Sequence, residues 1–194
     1  MKTKTIKNTC LALAAIGLAS ASALATPSYY AVTGHWYEVV AADSISWDDA
    51  QTAAASKGGY LATSTSAGEN DFIFGLVDAA FGTGNGGADG VQAWLGGYRN
   101  DPSQPDITKG WGWAVTGEAW GFTNWGGGEP NGDLSGTGHL TINRFGTSAW
   151  NDEGSWPTGL KGFVVEGVPD SGSTLGLLGG AFGVMGFVSR KLRK

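Results

Sequence analysis

Residues His35 to Ala41 alternate in polarity and include the β-branched pair Val39 and Val40, so the segment is expected to be a strand. Ser46, with Asp49 three residues on, forms a capping-box start for a helix. Trp47, Ala50, Ala53, Ala54 and Lys57 follow at helical spacing, and Gly58 and Gly59 stop the run. Tyr60 to Ala62 reads as a short extended piece. A second capping box, Ser66 with Glu69, opens another helix whose apolar side carries Phe72, Phe74, Leu76, Val77 and Ala80.

From about Gly82 to Leu134 the texture changes. Glycine, asparagine and proline dominate, broken by short aromatic stretches at Ala93–Gly96 and Gly110–Trp113. So long a loop-rich region inside a compact domain is unusual and often functional. Short strands are expected again at 139–143, 148–150 and 162–166. The order is strand, two helices, loops, then sheet. It predicts an α+β fold with two helices, small antiparallel sheets and a long loop region.

Both ends read as processing segments. Residues 1–25 place Lys2, Lys4 and Lys7 before an apolar run, Leu11 to Ala19, and then the small-residue stretch Ala21 to Ala25. That order is a secretory signal peptide, cleaved after Ala25. The alternative is an uncleaved anchor, but the apolar core is shorter than the ~20 residues that span a bilayer. Cys10 precedes that core, where a lipid-attachment cysteine would follow it. No other cysteine exists, so the mature chain is expected to hold no disulfide.

Residues 168–194 begin with Val168-Pro169-Asp170-Ser171-Gly172. An apolar, glycine-rich stretch follows from Leu175 to Val188, and the chain closes on Arg190, Lys191, Arg193 and Lys194. Basic residues after an apolar segment suit a cytoplasmic stop. The layout resembles PEP-CTERM sorting signals in their Val-Pro-Asp-Ser-Gly variant. The resemblance implies export to the cell surface or extracellular matrix, with membrane attachment through this segment at least transiently. It also implies processing near Pro169–Gly172 by an exosortase-type enzyme, in bacteria that build extracellular polysaccharide. The alternative is an ordinary membrane anchor.

Composition sharpens the picture of the middle. Residues 1–25 and 171–194 hold seven of the twelve Lys and Arg residues and no acidic ones. Residues 26–170 therefore carry five basic against seventeen acidic side chains, a net charge of −12. Such a surface repels phosphate backbones and excludes nucleic acid as a partner, while it suits divalent cations. Glycine, at 34 of 194 residues, is far above its usual ~7% share. Nine tryptophans nevertheless argue for a packed core rather than disorder.

Two motifs place hard oxygen donors beside a tryptophan on loops or loop edges: Trp125 to Asn131, containing Glu129-Pro130-Asn131, and Trp150-Asn151-Asp152. Calcium takes six to eight oxygens from carboxylates, amides, backbone carbonyls and water. Glu129, Asn131, Asn151 and Asp152 offer two carboxylates and two amides. A cis bond at Pro130 would turn the flanking side chains the same way. Read singly, each motif is equally a turn.

Taken in order, these motifs resemble the C-type lectin family from about Gly34 to Gly167, which sets a lectin-like domain at 26–167. The matching elements are His35-Trp36-Tyr37, Trp47 to Ala50, Gly59 to Ala62, Glu69, Ala93 to Gly96, Thr123-Asn124-Trp125, Glu129-Pro130-Asn131, Trp150-Asn151-Asp152 and Phe163 to Glu166. The resemblance implies that Glu129, Asn131, Asn151 and Asp152 bind one calcium ion and, with it, the vicinal hydroxyls of a glycan or exopolysaccharide. The Glu-Pro-Asn form is associated with mannose- or glucose-type hydroxyl geometry.

The chain departs from the family in two places. A glutamate is usual eight residues after the first ligand, where Thr137 stands; Asp133 is the nearest carboxylate that could substitute. The family's disulfide positions fall on Ala54 with Val165 and on His139 with Ser155. The first pair is expected to be a plain apolar contact, and His139 a structural residue. Other members of the fold bind neither calcium nor sugar, so a calcium-independent adhesive or structural module stays open. No nucleophile–base pair is visible and only two histidines exist, so the chain is not expected to be an enzyme. Trp111, Trp113, Trp120 and Trp125 are either core or an exposed contact face.

Overall fold

The computed structural model describes residues 26–86, 91–101, 103–132, 138–154 and 159–169. The expected signal peptide and the tail beyond Pro169 lie outside these, as do Asp133, Thr137 and Ser155. Eight strands and two helices follow in the order β1 (Ser28–Tyr30), β2 (His35–Ala41), α1 (Trp47–Ser56), β3 (Tyr60–Leu61), α2 (Ala67–Phe81), β4 (Gln92–Arg99), β5 (Trp111–Trp113), β6 (His139–Ile142), β7 (Trp150–Glu153) and β8 (Leu160–Gly167). The strands form one sheet in the order β1-β2-β8-β4-β6-β7, with β3 added on β8 and β5 on β4.

Both helices start where the capping residues predict. Ser46 Oγ accepts from the backbone N–H of Asp49 at 3.1 Å, and Ser66 Oγ accepts from that of Glu69 at 3.3 Å. The buried face of α2 differs from expectation. It carries Glu69, Asn70, Ile73 and Val77, while Phe72, Phe74 and Leu76 are only partly buried. Spacings of three and four residues define one helix face, so Ile73 is fully buried while Phe72 and Phe74 pack against the core from its flanks.

The expectation of small antiparallel sheets gives way to a single mixed sheet, because β4 pairs parallel to β8, with Trp94 opposite Phe163. Period-two alternation reports which face a residue takes and is silent on strand direction. The eight-residue β4 is longer than its aromatic centre implies, since Gly96 and Gly97 interrupt the pattern. A Cβ on Gly96 would stand 2.4 Å from the Leu61 carbonyl oxygen, so β3 packs where only glycine fits. Strand β7 is also displaced, running over 150–153 instead of 148–150. Pairs from Ile142↔Trp150 to His139↔Glu153 hold it to β6, so Asn151 and Asp152 are strand residues, not loop residues.

Two apolar clusters fill the interior. One packs α2 against the sheet through Tyr37, Ile73, Val77, Leu95, Leu140 and Trp150. The other packs α1 through Trp47, Ala50, Ala54, Trp94, Phe163 and Val165. Ala54 and Val165 are both fully buried in the second cluster, an apolar pair in place of a bridge.

Candidate functional site

Strand β7 anchors the site. Trp150 is fully buried, and its indole N–H donates to Asn70 Oδ1 at 2.6 Å, tying the strand to α2. The segment before Glu129 is bonded alongside it. Trp150 N–H donates to the Asn124 carbonyl at 2.7 Å, and Gly126 N–H donates to the Trp150 carbonyl at 2.8 Å. A turn then closes from Glu129 N–H to the Gly126 carbonyl at 3.0 Å, and the Glu129–Pro130 peptide bond is cis. The two motifs thus come together through backbone pairing.

Asp152 receives the loop. Its Oδ1 accepts from Asn131 N–H at 2.7 Å and its Oδ2 from Gly132 N–H at 2.8 Å. Gly132 is needed there, since a Cβ would stand 2.5 Å from Asp152 Oδ2. Glu129 lies against the same carboxylate, with Oε2 buried and without a hydrogen-bond partner among the described residues. Burial, a hydrogen bond to Asp152 and the Asp152 charge together push the Glu129 carboxyl up to about 7. The nearby Arg144 opposes this only in part, because its guanidinium pairs with Glu153.

The two amides part company. Asn131 is exposed and contributes its backbone N–H. Asn151 is buried and turned to the other side of β7, where its amide donates to Glu153 Oε1 at 2.9 Å and Gln92 Oε1 at 3.3 Å. Glu153, which the sequence offers beside Asp133 as a carboxylate to complete a calcium shell, is engaged here, and Gln92 is not marked by the sequence at all; only cross-strand register brings residue 92 to residue 153, at 2.8 Å. Among the described residues no three His, Cys, Asp or Glu side chains converge as a metal cluster.

Two further buried carboxylates lie outside the motifs. Glu166, fully buried, meets His35 Nδ1 at 2.5 Å and accepts from the Thr63 backbone and hydroxyl, each at 2.8 Å. Burial raises its pKa. Glu69 accepts from the Tyr37 hydroxyl at 2.5 Å and from the Thr65 N–H at 2.7 Å. Tyr37 and Tyr60 are both driven well above the usual phenol range, first by burial and then by these carboxylates.

The tryptophans divide. Trp111 and Trp113 are buried, while Trp120 and Trp125 are half-buried. With Thr108, Lys109 and Thr123, the rings of Trp111, Trp120 and Trp125 line a cleft of about 420 Å³.

Two helices on one mixed sheet, with the Glu-Pro-Asn loop bonded to the Trp-Asn-Asp strand, define the C-type lectin-like fold. Solved structures of that fold superpose on it. A calcium-independent type II antifreeze protein matches with a TM-score of 0.56 at 18% identity, covering 73% of this chain and 91% of its own. The carbohydrate-recognition domain of mouse scavenger receptor C-type lectin matches with a TM-score of 0.54 at 17% identity, covering 74% and 96%. In sequence, the chain is similar to halomucin of Haloquadratum walsbyi, 32% identical over 145 residues. That stretch is 70% of this chain and 1% of halomucin. Residues 167–192 match the VPDSG-CTERM motif, a sorting motif that points to an exported, surface-associated protein. Among the described residues no helix is long and apolar enough to cross a membrane.

Proposed function

We propose that the protein is an exported surface or matrix component that binds carbohydrate through a calcium ion at Glu129 and Asp152. The observation that carries this reading is the unpartnered, buried Oε2 of Glu129 packed against a second carboxylate. Burial and the neighbouring Asp152 charge disfavour the ionised form of Glu129. A divalent ion relieves that repulsion and satisfies the orphaned oxygen. Calcium, when bound, supplies open coordination positions for vicinal sugar hydroxyls.

The chain's own residues orient the pair. Asn131 and Gly132 N–H groups hold the Asp152 carboxylate in place and leave it further lone pairs. Asn131, exposed beside it, is the third donor. Asn151, bonded to Glu153 and Gln92 on the other side of β7, would have to leave them and turn across the strand to join the set. The sorting tail is processed near Pro169–Gly172 by an exosortase-type enzyme. The solved carbohydrate-recognition domain on this fold is consistent with a sugar ligand.

One observation favours a second reading, a calcium-independent adhesive or structural module. Both Asp152 oxygens already accept backbone N–H groups, so the loop is held without an ion. The calcium-independent type II antifreeze protein that shares the fold is consistent with that alternative.

The test is the thermal midpoint of the full chain in millimolar calcium and in chelator, beside Glu129→Ala and Asp152→Ala. Calcium at a hundred times its dissociation constant adds about 2.7 kcal/mol, raising the midpoint by roughly 5–10 °C. A rise lost in both variants supports the calcium reading. No rise in the parent chain favours the second.

A further inference from the structure

We infer that the cleft walled by Trp111, Trp120 and Trp125 is a second carbohydrate subsite, which stacks a neutral pyranose ring without a metal beside the carboxylate pair. The inference rests on the reading that the ligand is a polysaccharide, and is independent of calcium.

The cleft is preformed. Trp111 and Trp120 rings stack with centroids 5.9 Å apart and planes 24° from parallel, and Trp125 meets Trp111 edge-on at 4.7 Å. One wall is pinned by the Trp111 indole N–H donating to the Ile107 carbonyl at 2.9 Å. Arg99 Nε adds a bond to the Lys109 carbonyl at 3.3 Å. The opposite wall is the Trp125 segment already bonded to Trp150. At about 420 Å³ the cleft falls within the ~300–1,000 Å³ of small-ligand sites.

The lining selects the ligand class. Half-buried indoles offer an apolar surface to a flat, apolar ring face, and such stacking orders a ligand at low entropic cost. Thr108, Thr123 and Lys109 put hydrogen-bonding groups around that surface. A purely apolar ligand would leave them unpaired, and an anionic polymer is repelled by a domain of net charge −12. A pyranose, apolar on its face and hydroxylated on its edge, satisfies both.

The cleft adjoins the carboxylate pair. The point where a Gly138 side chain would begin lies 3.0 Å from Trp111 Cη2 and 3.6 Å from Asp152 Oδ2. A Cβ at Gly138 would crowd Trp111, so glycine there lets the cleft wall and Asp152 lie close together. One polysaccharide chain can therefore place one residue at the carboxylates and stack a neighbour on the indoles, and linked subsites multiply weak affinities.

Gly121 supplies a clean test. It lines the cleft, and a Cβ there meets nothing within 4 Å, so Gly121→Leu adds bulk at the cleft with no clash at its Cβ. Trp120→Ala, which also removes core contacts, serves as a second variant. The probes are neutral tetrasaccharides of glucose, mannose and galactose, titrated against the full chain in chelator with tryptophan fluorescence as the readout. A saturable change is expected in the parent chain and in Asp152→Ala, weakened at least tenfold in Gly121→Leu at an unchanged thermal midpoint. No saturable change with any probe, or parental binding by a folded Gly121→Leu, overturns the subsite. Binding seen only with calcium and lost in Asp152→Ala overturns it while leaving the calcium reading intact. Binding in chelator that ignores Asp152→Ala, with calcium giving no thermal shift, removes the calcium reading and keeps the subsite.

Discussion

The imidazole of His139 lies on the indole of Trp47, ring centroids 4.5 Å apart and planes 28° from parallel. Trp94 closes the other side at 5.9 Å, and Nδ1 is buried without a hydrogen-bond partner among the described residues. His139 therefore acts as a flat, neutral core ring. Burial pulls its pKa down to about 4, against a small opposing pull from Asp48.

An acid sensitivity follows. The folded pKa is depressed below the unfolded ~6.5, so the unfolded chain binds the proton first. The stability is fully present above pH 6.5 and is lost as pH falls toward 4, on the order of 3 kcal/mol in all. His139→Phe keeps the stacking and has no proton to bind. Urea unfolding at steps from pH 7 to 4 should show this variant losing less stability than the parent chain by that amount.

Glu129 slopes the other way. Its folded pKa of about 7 exceeds the unfolded ~4.3, so without calcium this group's contribution diminishes as pH rises through that interval. Calcium must displace the proton. Apparent calcium affinity should fall about tenfold per pH unit below 7, the slope of one released proton. Calorimetric titration at pH 8, 7, 6 and 5.5 measures it. An affinity independent of pH would place the ion elsewhere.

The contact of His35 with Glu166 provides a third test. His35→Leu removes one partner of a fully buried carboxylate and leaves it the two Thr63 donors and the neighbouring Tyr60 hydroxyl. Loss of a hydrogen bond to a charged group costs about 2 kcal/mol. Denaturant unfolding of His35→Leu should show that loss, and the double variant with Glu166→Gln should recover part of it, because a neutral amide tolerates burial better.

Gly59 bears on how β3 docks. A Cβ there would stand 2.4 Å from the Glu166 carbonyl oxygen and 2.7 Å from Val165 Cγ1. Gly59→Ala should destabilise by roughly 1–3 kcal/mol through forced backbone displacement. Gly127→Ala, where a Cβ meets nothing within 4 Å, is the control expected to stay within about 0.5 kcal/mol.

What was legible in the sequence follows what is local. Ser46 and Ser66 announced both helices because a cap is decided within four residues, and the alternation at 35–41 marked β2 with its observed bounds. Strand β1 and the full length of β4 escaped. Three residues are too few for a period, and glycines 96 and 97 erase the apolar signal that β4 would otherwise carry. At the site, the motifs pointed to Glu129, Asn131, Asn151 and Asp152, and backbone N–H groups of the first motif's loop bond to the Asp152 carboxylate. The opposite facing of Asn151 and Asp152 needed the register of β7 on β6, a non-local fact. The networks of Glu153 with Gln92 and of Glu166 with His35 span 61 and 131 positions and left no local trace.

The place of β8 in the sheet has a mechanical consequence. It is bonded to β2 on one side and to β4 and β3 on the other, and Val168 follows directly from its end. A pull transmitted through the C-terminal tail therefore does not peel a strand from an edge, one rung at a time. It loads a central strand along its axis, so the six pairs with β2 resist in shear together. A tether attached there would hold the domain under flow by the strongest grip that its sheet offers.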